Sequence, residues 1–204
     1  MTAQVPDSMW WNGNPHSVVA STDKMIFNLT SYFTPLRPKM LSTGCYRGYI
    51  AKFALDKSSN LIIQHLLINS PDVCALINGI PPYCAYNPSK GVNGRSSSLS
   101  YDEVDLKIPI HGTVRICRNF IRSMYFHGGF QHFLCFENVV DLVFEKGTLT
   151  DSKDLSDEIA QLRAILKDGS ESGSDVPDSA IASVFYRNTN HPRFVEFRNK
   201  HGDF

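Results

Sequence analysis

"TVRICRNFIRSMYF", Thr113 to Phe126, is the stretch on which the fold turns. Val114, Cys117, Phe120, Ile121, Met124 and Tyr125 recur at helical spacing, and Arg115, Arg118, Asn119 and Arg122 fall between them. Apolar residues three and four apart, with a charged opposite face, are the pattern of an amphipathic helix. Gly128-Gly129 follows as a stop. The spacing predicts a helix over 113–126. A strand is the competing reading, and it would make the chain's middle continuous β-structure.

Downstream, Phe130–Phe136 and Val139–Phe144 read as strands joined to a tight turn at 145–148. Asp154–Lys167 has acidic residues at its start and an apolar stripe of Ile159, Leu162, Ile165 and Leu166, so it reads as a helix. Residues 169–179, GSESGSDVPDS, are a linker by composition. A strand over 180–186 and a terminal helix from about His191-Pro192, burying Phe194 and Phe197, complete the C-terminal third.

Upstream, Val104–Ile110 reads as a strand, and Ile80–Ser100, rich in proline, glycine and serine, as a long surface loop. Tyr46–Leu55 and Leu61–Ile68 are apolar runs joined by the turn-type segment 56–60, an antiparallel pair. Met25, Ile26, Leu29, Tyr32 and Phe33 predict a short N-terminal helix with Ser21 or Thr22 as its cap and Pro35 as its stop. Residues 1–16 are turn-rich, with Asn12-Gly13 beside Trp10 and Trp11. The expectation is an α+β fold: a mainly antiparallel sheet with an N-terminal helix, a mid-chain helix and a helical C-terminal third. One domain spans 1–168, the linker 169–179, and a strand–helix appendage packing on the domain 180–204.

Composition narrows the function. The 20 basic residues balance 20 acidic ones, so no global field attracts nucleic acid. The five cysteines, Cys45, Cys74, Cys84, Cys117 and Cys135, lie mostly in apolar runs and form no disulfide framework. The N-terminus shows no basic start or apolar signal core, and no apolar run reaches the ~20 residues of a membrane span. A cytoplasmic protein with reduced cysteines is expected, with no membrane attachment.

Several constellations could carry chemistry. Cys117, His127, His132 and Cys135 are zinc-compatible in type but have no Cys-x-x-Cys spacing, so they read as packed or exposed side chains and no metal is expected. Arg115, Arg118 and Arg122, with Arg95 and Lys107 nearby in sequence, would line one helix face as an anion footprint or, more simply, as a solvated face. Trp10, Trp11, Phe126 and Phe130 are recognition aromatics or core. Arg47, set between Tyr46 and Gly48-Tyr49 at the start of an apolar run, is the most suggestive single residue.

Two resemblances attach to these residues. Ser42-Thr43, Arg47-Gly48-Tyr49-Ile50-Ala51, Pro109 with Gly112, and Glu137 with Phe144–Gly147 resemble the motifs of a family of small uncharacterised bacterial β-rich proteins. That implies a compact fold and no activity. Arg47, then Ser96-Ser97-Ser98, then Glu137 or Glu145, resembles the order in ADP-ribosyltransferases of the arginine–serine–glutamate class. That likeness implies Arg47 as clamp on the phosphates of a nicotinamide dinucleotide, Ser97 as brace and a glutamate on the ribose. The chain lacks the paired Glu-x-Glu of that class.

The reading adopted is a non-enzymatic binding protein without a cofactor. It recognises a protein partner, or a small anionic ligand, through Arg47, Tyr49, Arg95, Arg115, Arg118 and Arg122. The alternatives are an NAD-dependent transferase using Arg47, Ser97 and Glu137 or Glu145, and a structural homo-oligomer joined at a sheet edge.

Overall fold

The computed structural model describes residues 2–33, 36–71, 75–84, 98–168 and 192–201. The linker 169–179, the strand expected at 180–186, most of the 80–100 loop and the Phe194 side chain lie outside the described residues.

One sheet organises the chain. Its strands are β1 (Ser8–Trp11), β2 (Asn14–Ser21), β3 (Tyr49–Leu55), β4 (Leu61–Asn69), β5 (Tyr83–Cys84), β6 (Ser98–Tyr101), β7 (Leu106–Lys107), β8 (Gly112–Phe120), β9 (Phe136–Glu145) and β10 (Thr148–Asp154). They run in the order β10-β9-β8-β2-β1-β3-β4-β6-β5, with β7 also on β4. Every pairing is antiparallel except β1 with β3, where Ser8 faces Lys52 and Met9 faces Phe53 in parallel register. The fold is therefore β-dominated, and the α+β expectation is corrected. The described helices are α1 (Ser156–Asp168) and α2 (Pro192–His201); among the described residues there is no N-terminal helix, no helix over 113–126 and no helical C-terminal third.

The 113–126 segment shows why. Gly112–Phe120 is β8, between β2 and β9, and Arg122–Met124 is only a 3-10 turn. Val114 and Ile116 point into one core, while Cys117 points to a second core on the opposite face. A strand buried on both faces loses its polar–apolar alternation. The i, i+3 spacing of Val114 and Cys117 was a coincidence between residues on opposite faces.

The N-terminal helix fails for another reason. Lys24–Phe27 and Leu29–Phe33 are two separate 3-10 turns, the first capped by the Asp23 carboxylate on Met25 N. Between them the Tyr49 hydroxyl donates to Phe27 O (3.0 Å) and accepts from Leu29 N (3.2 Å). That hydroxyl takes backbone groups a continuous helix would have paired internally. Ile26 and Leu29 are nonetheless buried, as their apolar character requires.

The expected β3–β4 pair is present, with Tyr49 opposite Ile68 and Leu55 opposite Leu61. Its turn is organised by the Asp56 carboxylate, which accepts from Ser58 N, Asn60 N and Asn60 Nδ2. Those hydrogen bonds, led by Asn60's, hold Asp56 down at about 2. The β1–β2 connection is a two-residue hairpin loop whose Asn12 and Gly13 both take positive φ (46° and 75°). This Asn-Gly signal for a primed turn was legible in the sequence.

The sheet curls back on itself. Leu61 N, at the start of β4, donates to Gly147 O in the β9–β10 turn, and Asn60 bridges Thr148. The main core lies inside the curl, with Met9, Phe53, Leu66, Ile116 and Phe144 among its side chains. The second core lies outside, where α1 lays Ile159, Leu162 and Leu166 on the outer face of β8 and β9. Phe197 of α2 joins that cluster against Phe133.

Gly147 makes the closure sterically possible. Its φ is +87°, and a β-carbon there would sit 2.6 Å from Ile108 O. We expect Gly147→Ala to lower stability by at least ~2 kcal/mol, read as an earlier urea midpoint at an unchanged slope. An unchanged midpoint would show that the turn can move away from Ile108 at no expense.

No described helix is long and apolar enough to cross a membrane. Cys45, Cys117 and Cys135 are buried free thiols.

Candidate functional site

Arg47 lies in the turn before β3, and Asp7 immediately precedes β1. Arg47 Nη1 and Nη2 donate to the two oxygens of Asp7, each at 2.6 Å, and Arg47 Nε donates to Tyr49 O at 3.0 Å. Asp7 Oδ1 accepts a further bond from Ala51 N at 2.6 Å. Asp7 is almost wholly buried. Burial pushes its carboxyl up, against the downward pull of the Arg47 guanidinium and the Ala51 amide. The pair joins the residue ahead of β1 to the strand that β1 meets in parallel.

Gly48 completes the junction. Its carbonyl accepts from Asn69 N, and a β-carbon on it would lie 2.2 Å from Lys39 O at a φ of +83°. This is the close approach of a neighbouring backbone that a glycine in such a run signals. Tyr49 is buried beneath the guanidinium, 4.8 Å from ring centre to Arg47, and burial pushes its hydroxyl up. It belongs to the core.

Above this junction the surface is apolar and concave. Two adjoining cavities, of about 330 and 500 Å³, share Gln4, Val19 and Phe130 in their walls. Ser17 and Val19 on the outer side of β2, with Phe120 and Phe136, line the smaller one. Tyr46, Arg47 and Phe27 line the larger. Two backbone contacts hold the N-terminal wall: Gln4 N donates to Gly129 O (2.7 Å) and Val5 N to Gly44 O (2.7 Å). The facing loop is clamped by Gln131, which accepts from Phe126 N and donates to Phe126 O. Val5, Tyr46, Tyr125 and Phe130, all large and exposed, stand around these cavities.

The arginine face expected at 115–122 does not exist. Arg115 is fully buried on β8 and pairs with Asp141 of β9, Nε to Oδ1 at 2.7 Å and Nη2 to Oδ2 at 2.8 Å. Its guanidinium lies over Phe133 (4.5 Å) and Phe197 (5.5 Å). Arg118 is half-buried, and Arg122 is exposed on the following 3-10 turn. Arg95 lies outside the described residues.

The zinc-compatible set is also separated by role. Cys117 and Cys135 are buried, and burial raises both thiols, Cys135 to about 11. Cys135 Sγ donates to Met124 O. His127 is exposed beside Tyr125. His132 stacks on Phe133 at 4.0 Å and accepts from Leu134 N. Among the described residues no three His, Cys, Asp or Glu side chains form a group that could hold a metal ion.

Burial, aided by Arg115, pushes His132 down to about 3 from its ordinary 6.5. The folded protein therefore keeps the ring neutral at pH values where the unfolded chain takes up a proton. Stability from this site is complete above about pH 6.5 and falls as pH drops toward 3, with a slope approaching ~1.4 kcal/mol per pH unit. As pH falls from 6.5 to 4, wild type is expected to lose stability relative to His132→Asn, because the variant keeps a capping acceptor but does not titrate. Parallel curves between pH 6.5 and 4 would contradict this.

Arg47, Ser97 and the two glutamates do not form one described cluster. Ser97 lies outside the described residues. Glu145 ends β9 at the turn that meets the start of β4, whereas Gly48 meets the other end of β4 at Asn69. The length of β4, roughly 25 Å of extended chain, separates those two junctions. Glu137 is the second residue of β9, close enough to Arg163 of α1 to act on it electrostatically.

Sequence reasoning missed Asp7 and Asp141. Asp7 is the only acidic residue before Asp23, and Asp141 interrupts the apolar run VVDLVF. Arg115 and Asp141, each set in an apolar strand, announce a buried pair, since neither is left inside alone. No protein-family model, no curated protein and no solved structure matches this chain.

Proposed function

We propose that this is a non-enzymatic binding protein that recognises a protein partner through the concave face around Phe130. One observation carries the reading: Val5, Tyr46, Tyr125 and Phe130 remain exposed around two adjoining apolar cavities whose walls are held by backbone and glutamine hydrogen bonds. Clustered, exposed aromatics beside preformed pockets are the composition of binding hot spots. The small anionic ligand loses ground, because among the described residues the only charged one in either lining is Arg47, already neutralised by Asp7. An oligomer joined at the β10 edge is opposed by that strand's exposed Asp151, Lys153 and Asp154 and by its irregular register at Leu149/Asp151. Buried, unbridged Cys45, Cys117 and Cys135 support a reducing, cytoplasmic setting.

The test is photo-crosslinking in the native lysate. A photoreactive side chain at Tyr46 should capture a discrete partner, and one at Lys57, remote in the β3–β4 turn, should not. The captured protein, purified, should then bind wild type and lose affinity for Phe130→Asp. Equal capture at both positions, or a partner indifferent to Phe130→Asp, would refute the reading.

A further inference from the structure

Resting on that reading, we infer that the partner is held by an uncharged extended segment whose two apolar side chains enter the two cavities on either side of Phe130. The cavities share Gln4, Val19 and Phe130 as a common wall, so an occupant of both must cross the Phe130 ring. Each is large enough for a bulky aliphatic or aromatic side chain, and their combined span exceeds what one such group fills.

Charge complementarity selects the chemistry. Arg47 has a bond on each of its nitrogens, two of them to the Asp7 carboxylate. Among the described residues no other charged side chain lines either cavity. An acidic segment would meet a neutralised arginine, and a basic one would meet no carboxylate except Asp7, which is buried behind it. Either charge would be desolvated without a partner. The main polar group common to the two linings is Gln4, and it too is engaged. It donates to Thr2 O and Thr43 O and accepts from Tyr46 N. Specificity must therefore come from apolar shape, with backbone and side-chain polarity of the segment left to the solvent at the rim.

The probe is a phage-displayed library of random peptides, panned on the full-length protein. Expected winners carry two large apolar residues separated by uncharged ones. They should bind Phe130→Asp at least ~10-fold more weakly than wild type. Tyr46→Ala, an exposed rim substitution, should weaken them more mildly, which guards against a Phe130→Asp variant that fails to fold. Their affinity should change by less than about twofold between low and high salt, because no ion pair is involved.

Four outcomes overturn the inference. Winners could be acidic and salt-sensitive, or could bind both variants like wild type. If no peptide is enriched while the Tyr46 crosslink still finds its partner, the binding reading survives and the two-anchor segment does not. Lastly, a synthetic peptide of residues 178–188 of this chain could bind in place of library peptides, assigning the groove to the chain itself.

Discussion

Replacing Arg47 by alanine is expected to destabilise the protein by about 3–5 kcal/mol, most of it from stranding the Asp7 carboxylate. Asp7 is almost inaccessible, and both its oxygens are committed to Arg47, with Ala51 N sharing one of them. Removing the guanidinium leaves a buried acid with one amide donor. Asp7→Ala should cost a comparable amount. A double Arg47→Met, Asp7→Leu substitution should recover much of the loss, because no charge then remains inside. Urea denaturation of the four proteins measures this directly. If the double variant is no better than the singles, the pair holds β1 and β3 together by geometry that apolar side chains cannot replace. If Arg47→Ala is nearly neutral, Asp7 is not the buried partner described here. This result also bears on function, since a residue with so large a stability effect cannot serve as a clean probe of binding.

The second large effect is expected at Arg115. It is fully buried, lies over the packed rings of Phe133 and Phe197 and is forked onto Asp141. Arg115→Leu should cost ~4–5 kcal/mol, the upper part of the range for breaking a buried pair, and Asp141→Leu a similar amount. Against a total stability of ~5–15 kcal/mol, either change should leave a substantial unfolded population on mild warming. The double variant should again be milder than either single. A thermal melt separates this from a surface role, in which both singles would lie within ~0.5 kcal/mol of wild type.

These two pairs explain how much of the molecule was legible. The β3–β4 hairpin was readable because its two runs are apolar, β-branched in part and joined by a polar turn with Asp56 and Asn60 at its ends. α1 was readable from its acidic start and its four-residue apolar stripe. The 113–126 segment was not, because both of its faces are covered, and pattern reading relies on one face meeting water. The segment at 24–33 was not, because the group that breaks its helix is the hydroxyl of Tyr49, distant in sequence. At the site, Phe130 and Arg47 were visible as candidates. What each does was not, because the arginine's partner is Asp7, forty residues upstream.

By itself the sequence determined the hairpin, the outer helix, the absence of a net charge and the demand that each apolar-set arginine find a carboxylate. Those follow from local periodicity, turn chemistry and the expense of burying an unpaired charge. Only the tertiary structure decided which aspartate answers which arginine, that β8 is a strand between two cores, and that the N-terminal wall and the 125–131 loop meet to leave a groove around Phe130. Each of these depends on contacts between segments far apart in the chain, and local sequence carries no record of where such partners lie.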